Sequence, residues 1–203
     1  MKKLITLILL LNFTIKAQDV KIGKQTWATK NLDESKFRNG EAIPLAKTNA
    51  EWELAGKKKQ PAWCYYENNT ANGSSYGKLY NWYAVNDPRG LAPKGYHIST
   101  DNEWTILSEN LGGTSKAGTK MKSSSGWKNN GNGTNTTGFA GLPGGYRLND
   151  GNFKNIGAYG DWWSSSEFST DNAWFRNLSY SDGNVFSHND NKQNGFSVRC
   201  LRD

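Results

Sequence analysis

Cysteine and histidine are nearly absent, with two of each in 203 residues. Cys64 and Cys200 fit neither the spacing of a zinc site nor that of a redox pair. His97 and His188 are isolated: His97 reads as a structural hydrogen-bonding residue, and His188 as one of a solvated loop. Serines are plentiful, but no Gly-x-Ser-x-Gly elbow accompanies them, so a serine nucleophile has no support. Asn149-Asp150-Gly151-Asn152 and Asn189-Asp190-Asn191 have the composition of calcium loops. Neither has acidic ligands at alternate positions with a later Glu, so calcium is unsupported and turn chemistry accounts for both. The sequence gives no reason to expect a cofactor or a metal.

Long apolar runs are also scarce. One occupies residues 4–11, broken only by Thr6, behind the basic start Met1-Lys2-Lys3 and ahead of the small residue Ala17. This pattern predicts a cleaved secretory signal over residues 1–17, and the run is too short to span a bilayer. No later segment reads as a membrane span, and no cysteine near the cut offers a lipid anchor. The expected product, residues 18–203, is a single domain that is secreted or held at the cell surface. Losing Lys2, Lys3 and Lys16 takes three charges off the formal +7 and leaves +4. The remaining basic residues are scattered and no nucleic-acid module is visible, so no nucleic-acid partner is expected. Lys57-Lys58-Lys59 reads as a solvated loop.

Leu and Ile are sparse, and aromatics replace them: nine Trp, nine Tyr and eight Phe. Each buried ring removes ~150–250 Å² from water, enough for rings to drive collapse where aliphatics are few. Asn, Gly and Ser between them indicate short strands and ordered loops. Two cysteines in an exported chain leave a disulfide or two buried thiols open. The bridge is the expected state, contributing on the order of 5 kcal/mol in the chain-entropy model.

Along the chain, residues 20–32 predict two short strands turning at Gly23, with Ile22 and Trp27 inward. Asn39-Gly40 predicts a tight turn. Residues 45–61 read as a loop with one helical turn, residues 63–66 as a buried strand, and residues 68–75 as a polar loop. Tyr76, Leu79, Tyr80, Tyr83 and Ala84 fall on one helical face. Residues 96–98 predict a strand running into a capped helix. There Thr100 and Glu103 form a capping box before the stripe Trp104, Leu107, Leu111, and Gly112-Gly113 ends the helix. Residues 112–138 read as an ordered surface loop anchored by Met121 and Trp127. The last third is β in character, with a hairpin at Asn149-Asp150-Gly151, strands over 162–166 and 174–178, a turn at Asp182-Gly183 and a closing strand over 196–201. Early helices and late antiparallel strands give an α+β domain.

Six segments carry a resemblance: residues 23–32, 76–85, 91–104, 138–147 (Gly-Phe-Ala-Gly-Leu-Pro-Gly-Gly-Tyr-Arg), 162–166 (Trp-Trp-Ser-Ser-Ser) and 195–200 (Gly-Phe-Ser-Val-Arg-Cys). In this order they resemble the Fibrobacter succinogenes major paralogous domain, which occurs in exported bacterial proteins and has no settled activity. The strand–helix segment and the closing strand are also similar to the formylglycine-generating, sulfatase-modifying enzymes. That similarity implies a C-type-lectin-like fold: two helices packed on short, mainly antiparallel twisted sheets with long ordered loops, and residues 20–27 beside residues 196–201. Where many family members carry a Cys before the proline of the Pro-x-Gly segment, this chain has Ala92, which leaves Cys64 as the partner for Cys200. The closely spaced cysteine pair of the enzymes is missing, as are the Glu-Pro-Asn and Trp-Asn-Asp sugar signatures of C-type lectins.

Residues 174–193 mix flat rings with short polar groups, the composition of adaptable binding surfaces. Trp174, Arg176, Tyr180, Asp182, Asn184, His188 and Asn189 are the candidate ligand-binding residues. Strand alternation sets Trp174, Arg176 and Leu178 on one face and Phe175 and Asn177 on the other. The expected function is a secreted, non-enzymatic binding or interaction module for an extracellular glycan or protein. The alternatives are an enzyme of the sulfatase-modifying lineage with a metal or acid–base site, and a purely structural surface module.

Overall fold

The computed structural model describes residues 19–203, so the expected signal over residues 1–17 lies outside the described residues. Strands β1 (Asp19–Ile22) and β2 (Gln25–Ala28) pair antiparallel and bury Ile22 and Trp27, as their pattern predicts. Asn39-Gly40 makes its turn, with Phe37 N–H bonded to the Glu41 carbonyl at 2.8 Å. Helix α1 (Asn49–Lys57) then occupies a stretch expected to hold only one helical turn. Its signal is a second capping box: Thr48 Oγ1 accepts from Glu51 N–H at 3.1 Å, and the Glu51 carboxylate accepts from Thr48 N–H at 2.9 Å.

The next stretch differs from its helical reading. Strand β3 (Trp63–Cys64), helix α2 (Thr70–Tyr76), strand β4 (Leu79–Tyr80) and helix α3 (Trp82–Val85) follow in turn. Residues 68–75, expected as loop, are largely α2, capped by Asn69 accepting from Ala71 N–H at 3.0 Å. The continuous helix expected from Tyr76 breaks at Gly77. Its φ is +69°, and a Cβ there would stand 2.8 Å from the Leu32 carbonyl oxygen, so only glycine lets the chain reverse.

Strand β5 (Tyr96–Ile98) enters α4 (Asp101–Asn110) through the Thr100–Glu103 box, and Trp104, Leu107 and Leu111 are buried. Gly112 and Gly113, both at positive φ, end it. Helix α5 (Thr114–Met121) lies inside the segment read as loop. Its composition is poor for a helix, and packing holds it: Ala117, Gly118 and Met121 are buried, and a Cβ on Gly118 would meet the Asn184 carbonyl oxygen at 2.4 Å. Met121 and Trp127 are the expected anchors. The chain closes with β6 (Tyr146–Arg147), β7 (Phe153–Lys154), β8 (Tyr159–Glu167), β9 (Asn172–Ser179), β10 (Val185–Asn191) and β11 (Cys200–Arg202).

The architecture is α+β. One four-stranded sheet runs β1-β2-β11-β5, so the closing strand sits between the opening hairpin and the strand ahead of α4, with Leu201 opposite Trp27. A second sheet runs β10-β9-β8. Rings fill the space between elements. Trp104 lies 4.7 Å from Trp27, 5.7 Å from Phe139 and 6.2 Å from Trp162, centroid to centroid. Trp163, Phe175 and Phe196 form a second stack.

Much of the basic charge lies inside. Lys78, Lys122, Lys192, Arg147, Arg176 and Arg199 are all buried. Five of them stand over a ring: Lys78 on Trp63, Lys122 on Trp127, Lys192 on Trp82, Arg147 on Trp52 and Phe153, and Arg199 on Phe139. All six donate to oxygens, several of them loop carbonyls. Lys122 holds Ser179 and Asp182, Lys192 holds Ser169 and Thr170, and Arg147 holds Ala46 and Gly151. These loops are thereby tied down from within.

The cysteines correct the expected bridge: Cys64 and Cys200 are both free and buried. Alternation along β3 and β4 explains their separation. Trp63 opposite Tyr80 faces the cluster that contains Cys200, whereas Cys64 opposite Leu79 faces a different cluster with Trp52 and Tyr66. Burial pushes the thiols up, Cys64 to about 11 and Cys200 to about 12. A thiol reagent at mildly alkaline pH should label neither cysteine in the native protein and both in concentrated urea. A mass gain on reduction would instead reveal a bridge.

Candidate functional site

The β10-β9-β8 sheet has two faces of different character. Across one face the register sets Asp161, Asn177 and Phe186 in one row and Trp163, Phe175 and His188 in the next, with Asp190 beyond. The β6 strand and the segment before β11 bring Tyr146 and Phe196 over this face, and Tyr159 stands at its edge. Of these residues, all but Trp163 and Phe186 line a cleft of about 260 Å³. Tyr146 meets Phe196 edge-on at 5.8 Å, and Phe196 packs on Phe175 at 4.6 Å.

Asp161 forms the polar floor and is only 3% exposed. Its Oδ1 accepts from Asn177 Nδ2 at 2.7 Å, and its Oδ2 has no partner. Among the described residues it is the one ionisable side chain with a buried polar atom left unpaired. Burial raises its carboxyl to about 7; the Asn177 bond opposes that rise and the nearby Asp190 carboxylate adds to it. Burial, and then Asp161, also raise the Tyr146 phenol. A carboxyl so placed can accept a strong hydrogen bond, pair with a cation, or exchange a proton near neutrality.

The family model of the Fibrobacter succinogenes major domain matches residues 20–202. The chain belongs to that family. No curated protein and no solved structure matches it. The segments that carry the family resemblance supply the interior of this domain, including Trp27, Tyr80, Arg147, Trp163 and Arg199, all buried. Of the cleft, those segments contribute Tyr146 and Phe196 but not Asp161, Asn177, His188 or Asp190.

The seven residues proposed from sequence do not converge. His188 lines the cleft. Trp174 and Asn189 pair on the opposite face, where the Trp174 ring stands edge-on to Phe168 at 4.9 Å. Arg176 shares that opposite face and is buried in an ion pair with Asp101, with further bonds to the Asp101 carbonyl and Thr105 Oγ1. Tyr180 packs against the Trp104 cluster. Asp182 accepts from Asn184 N–H at 2.8 Å within the β9–β10 turn, and its carbonyl receives Lys122. His97, expected to be structural, bridges Glu103 and Asp203 at 2.8 Å each.

Asp161, Asn177, Tyr146, Tyr159 and Asp190 are not among the candidate ligand-binding residues read from the sequence. One signal was available: Asp161 directly precedes Trp162-Trp163, a charge inside a strand otherwise built for burial. A larger cleft of about 810 Å³ lies over Asn31, Gly77, Gly138 and Arg199. Its one buried cation, Arg199, is already engaged by carbonyls and by Asn31, which leaves less unmet chemistry there than at Asp161. Among the described residues no three or more His, Cys, Asp or Glu side chains gather to hold a metal, and no helix is long and apolar enough to cross a membrane.

Proposed function

We propose that this chain is an exported, non-enzymatic binding module that takes an extracellular glycan in the cleft above Asp161. The supporting observation is Asp161 on the floor of a ring-walled cleft, its Oδ2 unpartnered and closed to solvent. Rings offer flat apolar faces, while Asn177, Asp190 and His188 offer directional polar groups at the rim. Binding sites commonly combine these features: mostly apolar walls with few convergent polar atoms. A C-type-lectin-like arrangement is part of the proposal, supported by the pairing of β11 with β2. Secretion rests on the signal pattern of residues 1–17.

The test is a glycan array followed by titration of any hit against variants. Tyr159→Ala and His188→Ala should each weaken binding about tenfold, near 1.4 kcal/mol, with circular dichroism unchanged. Trp174→Ala, on the opposite face, should leave binding as it is. Loss of binding with Trp174→Ala alone would move the site to that face, and silence on the array and in pull-downs would leave a structural module.

A second reading, an acid–base enzyme, has one observation in its favour: a buried carboxyl titrating near neutrality beside a second acid. General acids are tuned in this way. Turnover of a hit glycan that vanishes in Asp161→Asn would establish it.

A further inference from the structure

Every other buried charge highlighted in this domain already has its partner inside the protein. Lys78 pairs with Asp33, Arg176 with Asp101 and Lys192 with Glu167, while Arg147, Arg199 and Lys122 are met by backbone carbonyls. A recurrent unit results, in which a cation stands against oxygen and over a ring, at 4.3 Å for Arg199 on Phe139 and 4.7 Å for Lys192 on Trp82. The cleft reproduces this unit with one part missing. Asp161 supplies the oxygen, its Oδ2 unpartnered though closed to solvent, Tyr146, Tyr159, Phe175 and Phe196 supply the rings, and among the described residues no lysine or arginine lines the cleft.

The charge acting on Asp161 is that of Asp190, of the same sign. The other titratable groups facing the cleft are His188 on β10, Tyr146 on β6 and Tyr159 on β8, alongside the neutral Asn177 on β9. Two acids and four rings attract a cation, and a neutral ligand would leave that field unanswered.

Resting on the binding function proposed above, we infer that the ligand is a glycan bearing a free, protonated amine, with one hexosamine unit seated in the cleft and its ammonium on Asp161. The volume, about 260 Å³, falls just under the ~300–1,000 Å³ of drug-sized sites and suits one sugar ring. A ring also uses what a bare alkylammonium would not. Its flat face lies on the aromatic walls, and its hydroxyls reach the Asn177 amide and the Asp190 carboxylate at the rim.

The experiment is calorimetric titration of the full domain at neutral pH with four probes: a glucosamine pentamer, its fully N-acetylated counterpart, cellopentaose, and Nα-acetyl-lysine amide. The glucosamine pentamer should bind at least tenfold more tightly than each of the other three. Asp161→Asn keeps the acceptor for Asn177 and so should fold, yet it should erase that preference; Asp190→Asn should reduce it severalfold. Equal affinity for the acetylated or neutral pentamer, with binding still lost in Tyr159→Ala, would overturn the amine while leaving the glycan module standing. Lysine amide binding as tightly as the glucosamine pentamer would overturn the sugar in favour of a protein ligand. Undiminished preference in Asp161→Asn would overturn the site. No binding of any probe, together with a silent glycan array, would overturn both this inference and the function on which it rests.

Discussion

Arg199→Met should lower the stability of this domain by about 2–4 kcal/mol after the relief of no longer burying a charge is counted. Arg199 is 1% exposed and its guanidinium joins parts of the chain far apart in sequence. It donates to the Ala28 carbonyl at 2.9 Å, the Phe139 carbonyl at 2.6 Å and Asn31 Oδ1 at 2.9 Å, and lies 4.3 Å from the Phe139 ring centre. Methionine replaces much of the stem's volume but none of the donors. Two buried carbonyls then lose their partner at about 1–3 kcal/mol each, and the ring contact goes as well. The gross loss, on the order of 5 kcal/mol, is offset in part because the guanidinium is no longer buried, a cost that holds its pKa down at about 9; the remainder is still a large fraction of a domain's about 5–15 kcal/mol. Urea unfolding followed by tryptophan fluorescence reads the effect: the midpoint should be sharply lower. Arg202→Met is the control, because Arg202 is 56% exposed on the side chain and pairs with Asp19 only at 3.6 Å, a pair worth less than about 1 kcal/mol. An Arg199→Met midpoint equal to that of the control would refute the role given to buried cations in holding the loops.

That role also marks where the sequence stopped being legible. The Thr100–Glu103 box, the Gly112-Gly113 stop and the strands over 162–166 and 174–178 are local signals that appear in the fold as read, whereas the closing strand expected over 196–201 is regular only at Cys200–Arg202. The Thr48–Glu51 box is the same kind of signal and was available too; the charged, aperiodic surroundings of residues 45–61 obscured it. The spacing of Tyr76, Leu79, Tyr80, Tyr83 and Ala84 also arises when a strand is set between two short helices, and Gly77 was the residue that distinguished the two. Burial of Lys78, Lys122 and Lys192 depends on rings and carbonyls distant in sequence, so no count of charges could separate them from solvated lysines.

The candidate site divides in the same way. Alternation along β9 was read correctly, with Trp174 and Arg176 on one face and Phe175 and Asn177 on the other. The sequence could not say which face carried a cleft, because Tyr146 and Phe196 arrive from other elements to roof only one. Arg176 has the chemistry of a ligand group, but its partner Asp101 sits at the start of α4, across a packing interface. Polar residues of this kind are identified by what lies opposite them, which is tertiary information.

Asp161→Asn should make the domain more stable, and increasingly so as pH rises. In the native protein burial lifts this carboxyl to about 7 from its ordinary value of 3.8. The folded state therefore holds the proton more tightly than the unfolded chain does. For such a group, stability is highest below the unfolded value, declines as pH climbs between the two values, and stays low above about 7. The difference between the two values corresponds to roughly 4 kcal/mol at full effect. Asparagine keeps the oxygen that accepts from Asn177 and carries no charge to desolvate, so the variant lacks this slope. Unfolding free energies of the two proteins should converge near pH 4 and separate progressively up to pH 8, the variant being the more stable by up to about 4 kcal/mol. Taking the difference removes Glu41 and Asp87, whose hydrogen bonds to Arg89 hold them below the usual carboxylate range and which act in the opposite direction. Parallel pH profiles would mean that Asp161 meets solvent or a partner that the cleft does not reveal. A cationic ligand would offset the same cost, so it should raise the melting temperature of the wild-type protein near pH 8 and leave that of Asp161→Asn in place. On the binding function proposed here, activity and stability oppose each other at one oxygen atom: the unpaired Oδ2 that weakens the domain is the one the proposed cationic ligand would satisfy.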